Sequence, residues 1–254
     1  MPVDRHLYAD PARLRAERGH PLVLGHRGMP GSEAENRLEA FRAALDAGAD
    51  GVEFDVRLSA DGVPMVIHDS RLERTTGRGG RVSDFDAGEL EGFGVPRLET
   101  VLDSLTPRTP GPVLNIEIKD FGPQDRGLER TVVELVKARQ AEGRVIFSSF
   151  NPLALARVRR ADPRFCTGQL TAPGSLRVLR LGYLWRPAAV HPHFAEVTRA
   201  KLDAWRRRGY RVVVWGADTV GQLREALTWE PDGIITDRPA EAAALVQRLR
   251  HSMV

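Results

Sequence analysis

Gly51-Val-Glu-Phe-Asp-Val-Arg-Leu58, continued by Ser59-Ala-Asp-Gly-Val-Pro-Met-Val-Ile-His68, reads as one extended run, a turn and a second extended run. Asp61-Gly62 between such runs predicts a hairpin. A two-residue turn centred on that pair sets residue 60 opposite 63, and therefore Asp55 opposite His68. Side chains alternate along a strand, so Glu53 and Asp55 share a face and His68 joins it. Taken alone, Glu53-Phe54-Asp55 fits equally well a half-buried strand with its polar face in water. In a parallel barrel both faces are covered, and two inward acids then cost several kcal/mol each unless they are paired or bind a cation.

The rest of the chain places that run inside such a barrel. Apolar, β-branched runs near Leu22–Gly25, Gly51–Leu58, Val113–Lys119, Val145–Ser149, Cys166–Leu170, Ala188–His191, Arg211–Trp215 and Gly233–Thr236 predict eight strands. Amphipathic stretches near Glu35–Ala47, Gly127–Ala141, Pro152–Ala161, Gly174–Leu181, Thr198–Arg208 and Gly221–Thr228 lie between them, and a terminal helix is expected near Ala240–Arg248. Strands alternating with helices imply a parallel sheet, and 254 residues match one closed (β/α)8 TIM barrel of roughly 250. An open doubly wound sheet is the competitor. It is disfavoured because no Gly-rich dinucleotide fingerprint follows the first strand and the reactive residues fall at several strand ends. Residues 1–21 are expected to form an extension with a short helix, Pro11–Arg18, capped by Asp10 and closing one barrel end, ahead of a barrel domain over 22–254. Residues 70–98, rich in Gly and Arg, read as an excursion after the second strand, where long barrel loops commonly serve the site.

Composition narrows the function classes. The net charge is +3, from 37 Lys and Arg against 34 Asp and Glu, and only three of the basic residues, Lys119, Lys137 and Lys201, are lysines. Arginines spread along the whole chain do not make the basic stripe of a nucleic-acid binder, and aromatics are only 6% of the residues. No run approaches the ~18 apolar residues of a membrane span, and the first residues have no secretory pattern, so a cytoplasmic protein without stable membrane insertion is expected. One cysteine, Cys166, excludes an intramolecular disulfide and reads as a small buried hydrophobe.

A second acid-bearing strand, Val113-Leu-Asn-Ile-Glu-Ile-Lys119, points Asn115, Glu117 and Lys119 one way. Glu117 and Lys119 can simply neutralise each other. With Glu53 and Asp55, however, Glu117 completes three carboxylates suited to a hard divalent cation, Mg2+ or Ca2+. The first strand ends in Gly25-His-Arg-Gly28, which puts an imidazole and a guanidinium between glycines. Three acids, one divalent cation, Arg27 and Lys119 leave one net positive charge, the complement of a phosphodiester. Two imidazoles, His26 and His68, suit the accompanying proton transfers at neutral pH.

These residues resemble the glycerophosphodiester phosphodiesterases. The resemblance rests on Val23-Leu-Gly-His-Arg-Gly28, Glu35-Asn36, Gly48-Ala-Asp-Gly-Val-Glu-Phe-Asp-Val56, His68-Asp69, Arg74-Thr-Thr76, Ile116-Glu-Ile-Lys119, Ser148-Ser-Phe150 and Asp232-Gly-Ile-Ile-Thr-Asp237, in order. It implies a TIM barrel with a small insertion after the second strand and metal-dependent hydrolysis of a small glycerophosphodiester to glycerol 3-phosphate and an alcohol. It implies His26 and His68 as the acid–base pair, Glu53, Asp55 and Glu117 as metal ligands, Arg27 and Lys119 as phosphate contacts, and Glu35 as a further polar or metal contact. Trp215 stands where the family packs an aromatic against glycerol, and a core tryptophan is an equal reading. Arg37 replaces the family's usual Thr, and Gly216-Ala-Asp218 its Thr-Val-Asn, which bears on selectivity.

Competing readings are a lysophospholipase-D-type enzyme, which needs an exposed apolar patch around 70–98, and a catalytically silent phosphate-binding barrel. A metal-dependent sugar isomerase has no use for His26 and Arg27 around a phosphate. His191-Pro-His193 is assigned no metal, and His6, His20 and His251 are expected in solvent. Ser148 and Ser149 lie in no nucleophile elbow.

Overall fold

The computed structural model describes residues 7–31, 34–108, 111–120, 122, 124–174 and 186–251. Eight parallel strands form a closed ring: β1 (Leu22–His26), β2 (Gly51–Leu58), β4 (Val113–Ile118), β5 (Val145–Ser149), β6 (Cys166–Thr171), β7 (Ala189–Pro192), β8 (Arg211–Trp215) and β9 (Gly233–Thr236), with β9 pairing back onto β1. A short β3 (Pro64–Val66) hangs antiparallel on β2. Helices α1 (Pro11–Arg18), α2 (Leu38–Asp46), α5 (Leu98–Leu105), α6 (Leu128–Ala138), α7 (Pro152–Ala161), α8 (Arg199–Arg207), α9 (Val220–Thr228) and α10 (Pro239–His251) lie outside the sheet, and α3 (Glu73–Thr76) and α4 (Ala87–Gly92) belong to the excursion. This is the TIM barrel that the strand–helix alternation predicts.

Two apolar layers hold it. Phe54, Val56, Ile116, Ile118 and Phe147 face outward against Phe41, Leu102 and Val132 of the helices. Inside the ring, Leu22, Leu24, Val113, Ile146, Cys166, Ala189 and Val213 form the floor, and Leu7, Ala9 and Leu14 pack onto it from below. Asp10 fixes that lower segment twice: it caps α1 by accepting from the Ala12 N–H, and it holds the Arg211 guanidinium at the start of β8. The inner layer above the floor is polar. Asn115 Nδ2 donates to Ser148 Oγ at 2.7 Å, and His191 is fully buried over Gly168, where a Cβ would lie 2.2 Å from its Nε2. Burial takes the His191 pKa down to about 3, so this ring is neutral.

Four sequence expectations need adjustment. The hairpin forms, but Val56 opposes Val66 and Ser59 opposes Val63, a three-residue loop with Gly62 in the left-handed region at φ 80°. Asp55 therefore pairs with Ile67, not His68; His68 reaches the site because the chain has left the strand by then. The second helix starts at Leu38 rather than Glu35, since Asn36 is at φ 58° with its side chain committed to β2. An unforeseen helix, α5, follows the excursion with Leu98, Val101, Leu102 and Leu105 buried at helical spacing. His20 is not in solvent: its ring is 3.7 Å from Asp50 and only 16% exposed. The helix expected at 174–181 falls, apart from Gly174, outside the described residues, as do His6 and the His251 side chain.

Candidate active site

Parallel register builds the site from the β-strand ends upward. His26 is level with Glu53, Glu53 with Asn115, and Asp55 with Glu117 and then Ser148, so one inner face carries them all. Carboxylate oxygens of Glu53, Asp55 and Glu117 lie within 4.8 Å of one another, all three buried. The Lys119 ammonium stands among them, 2.7 Å from Glu117 Oε1 and 3.2 Å from Asp55 Oδ1. The neutralising pair that the sequence allowed is therefore present, with Arg27 beside Asp55 and His26 beside Glu53 as further cationic groups. Asp55 Oδ1 and Glu117 Oε1 are buried without a well-aligned hydrogen bond. Burial, with Asp55 close by, pushes Glu53 up to about 7, and burial pushes Glu117 up to about 8. Asp55 goes the other way, to about 2: burial opposes its charge, but Lys119, His68, Arg27 and the Asn36 amide outweigh it. A buried, oxygen-only triad with two oxygens lacking a well-aligned hydrogen bond fits a hard divalent cation.

The two histidines flank this triad with different protonation. His26 Nδ1 is 2.7 Å from Asp237 Oδ1, at the exit of β9, and its Nε2 is 3.9 Å from Glu53 Oε2. Burial disfavours its charge, yet Asp237 and Glu53 lift the pKa to about 9. His68 Nδ1 is 2.6 Å from Asp69 Oδ1, while desolvation outweighs the carboxylates and lowers its pKa. At neutral pH His26 carries a proton that His68 lacks.

Arg27, at φ 54°, donates its backbone N–H to Glu53 Oε2 at 3.1 Å and sets its guanidinium 3.4 Å from Asp55 and 3.1 Å from Glu35. Glu35 is a polar contact outside the acid triad, gripped by Arg27 and by both terminal nitrogens of Arg74. Trp215 is fixed by its own chain at the strand end. Its indole N–H donates to the Thr171 and His191 carbonyls, while the half-buried ring makes edge contacts with Phe150 and His193 at the mouth.

Five supporting residues carry no role that the sequence alone assigns. Asp237 and Asp69 orient the two imidazoles; Arg74 joins Asp69 to Glu35. Asn36 donates to Asp55 Oδ2 at 2.9 Å, and Arg57 donates to the backbone carbonyls of His68 and Lys119. Four of them sit inside the quoted motifs, where the residue type was visible but its partner was not. Ser148 and Ser149 hydroxyls are spent on Asn115 and the Ile118 carbonyl.

Comparison with known proteins agrees with this geometry. The glycerophosphoryl diester phosphodiesterase family model matches residues 26–241. A glycerophosphodiester phosphodiesterase of Caldanaerobacter subterraneus subsp. tengcongensis is 31% identical over 89% of this chain and 98% of its own. The crystal structure of a Thermotoga maritima glycerophosphodiester phosphodiesterase superposes with a TM-score of 0.74 at 30% identity, covering 91% of this chain and 99% of that one. An Oleispira antarctica phosphodiesterase solved with the product sn-glycerol-3-phosphate gives 0.75 at 25% identity, covering 91% and 99%. The chain belongs to the glycerophosphoryl diester phosphodiesterase family.

Proposed function

We propose that this chain hydrolyses glycerophosphodiesters to glycerol 3-phosphate and an alcohol, with His26 and His68 as its acid–base pair. The observation that carries the reading is the convergence, at one barrel mouth, of two imidazoles, each held by its own carboxylate, beside three buried acids. Glu53, Asp55 and Glu117 would hold a divalent cation, Mg2+ or Ca2+, which when bound supplies positive charge to the non-bridging phosphate oxygens. Arg27 and Lys119 add positive charge from the protein side, and Glu35 fixes the Arg27 guanidinium. His68, with Nδ1 engaged by Asp69, presents Nε2 to take a proton from the attacking oxygen, that of water directly or of the glycerol 2-hydroxyl, whose cyclic phosphate water then opens to glycerol 3-phosphate. His26, with Nδ1 engaged by Asp237, gives its Nε2 proton to the alcohol oxygen as the P–O bond breaks. Trp215 closes the side of the mouth on which glycerol would pack. Residues 22–254 would supply this chemistry, with 1–21 as a supporting extension.

A membrane-surface lysophospholipase D receives no comparable support. In the excursion Leu90 is buried and Phe85 packs edge-on against Phe93 at 5.3 Å, and the exposed large apolar side chains among the described residues are Leu153, Val220 and Leu249. No helix of the described residues is long and apolar enough to cross a membrane.

The test is glycerol 3-phosphate release from several glycerophospho-alcohols, with and without EDTA and with Mg2+ or Ca2+ restored separately. Chelation should abolish release, and His26→Ala and His68→Ala should each abolish it in folded protein. Wild-type turnover by either variant, or indifference to chelation, refutes the proposal.

A further inference from the structure

Beside the catalytic centre, on the β2–β4 flank, lies a cavity of about 220 Å³ lined by Arg57, Ser70, Arg81, Ser83, Lys119 and Arg126 among others. Its floor is built from the machinery itself. Arg57 Nε donates to the His68 carbonyl at 2.7 Å and its Nη1 to the Lys119 carbonyl at 3.1 Å. Its rim comes from two exposed loops, with Arg81 on the excursion and Arg126 just ahead of α6. Most arginines around the site are matched to acids: Arg27 to Glu35 and Asp55, and Arg74 to Glu35 and Asp69. Among the described residues the Arg81 and Arg126 side chains have no such partner. Asp120, the one acid lining the cavity, already accepts from the Gly122 N–H and faces Arg157 at 3.4 Å. β4 stands across the eight-strand ring from β8, so this cavity is distinct from the wall formed by Trp215.

We propose that this cavity is a second anion site, which takes a carboxylate or phosphate group other than the phosphodiester being cleaved. Two guanidinium forks at a rim above the half-buried Arg57, beside the buried Lys119 whose ammonium faces Asp55 and Glu117, match planar or tetrahedral oxyanions. The volume holds one such group with several waters. The anion comes either on the alcohol of the substrate or free from solution. The inference rests on the hydrolytic reading above, and the experiment separates the two.

Glycerophosphoserine differs from glycerophosphoethanolamine by one carboxylate. If the anion is carried by the substrate, wild-type kcat/KM for the serine substrate exceeds that for ethanolamine by about tenfold. Arg81→Ala/Arg126→Ala brings the ratio to about one and leaves the ethanolamine rate unchanged. If the anion is free, the wild-type ratio is near one, and inorganic phosphate changes ethanolamine-substrate kcat in a way the double variant abolishes. The single Arg126→Glu, on an exposed loop, repeats the test should the double variant misfold. A ratio near one with purely competitive phosphate, alike in all variants, overturns the proposal. A preference that persists in the variants, or equal losses on both substrates, overturns it too. Absence of turnover on every substrate would instead sink the hydrolytic reading.

Discussion

Replacing Asp237 by Asn keeps an oxygen that can accept from His26 Nδ1 but removes the negative charge 2.7 Å from the ring. His26 stands at about 9 against 6.5 for a free imidazole, and at about 1.4 kcal/mol per pH unit that lift is roughly 3 kcal/mol. It is shared between Asp237 and Glu53, and the Asp237 side chain is 46% exposed, so water screens it. We assign Asp237 about 1–2 kcal/mol of the lift. With Glu53 engaged by a cation, Asp237 is also the main carboxylate left to keep the proton on His26. A group whose pKa is raised holds its proton below that pKa and loses it as pH climbs through it. The wild-type alkaline limb of kcat should therefore sit high, and Asp237→Asn should move it acidward by about one pH unit. At pH 8 kcat should fall about twofold and at pH 10 nearly tenfold, with KM nearly unchanged because ground-state contacts persist. The assay is a pH–rate profile from pH 6 to 10 on one glycerophosphodiester at saturating metal. An alkaline limb that stays in place in Asp237→Asn refutes the assignment of His26 as the proton donor.

Asn36→Ala removes the amide that steadies Asp55 at 2.9 Å and should weaken divalent-cation affinity about 10- to 100-fold, read by calorimetric titration of the EDTA-treated protein. Gly168→Ala drives a methyl to 2.2 Å from His191 Nε2, and thermal unfolding should report about 1–3 kcal/mol of destabilisation. Asp10 is held below its ordinary pKa because, although burial opposes it, the Arg211 and Ala12 hydrogen bonds favour the carboxylate. A depressed carboxyl stabilises the fold above its unfolded pKa and loses that contribution as pH falls. Asp10→Asn should thus destabilise by about 1 kcal/mol at pH 7, and urea titrations should show the deficit shrinking toward pH 3.

The barrel is readable because short runs rich in apolar, β-branched residues alternate with helical stripes, so β2 and β4 stand out even though acids interrupt them. The acid triad was readable for the same reason, since Glu53, Asp55 and Glu117 break an otherwise apolar pattern. Hairpin register was not, because Asp61-Gly62 serves a two- or a three-residue loop equally well and only the packed structure selects one. Helix α5 was hidden behind the Gly- and Pro-rich end of the excursion, although Leu98, Val101, Leu102 and Leu105 carry its spacing. The groups that tune the histidines were out of reach in another sense. Asp237 is 211 residues from His26 along the chain, and Arg74 is 39 from Glu35, so only the closed ring brings them together.

Arg74 deserves its own reckoning, for one guanidinium clasps Asp69 and Glu35 at the same time. The loop carrying His68 and Asp69 and the loop behind Arg27 are thereby clipped together. Setting His68 against Arg27 becomes a task completed once, as the chain folds, instead of one repeated at every turnover.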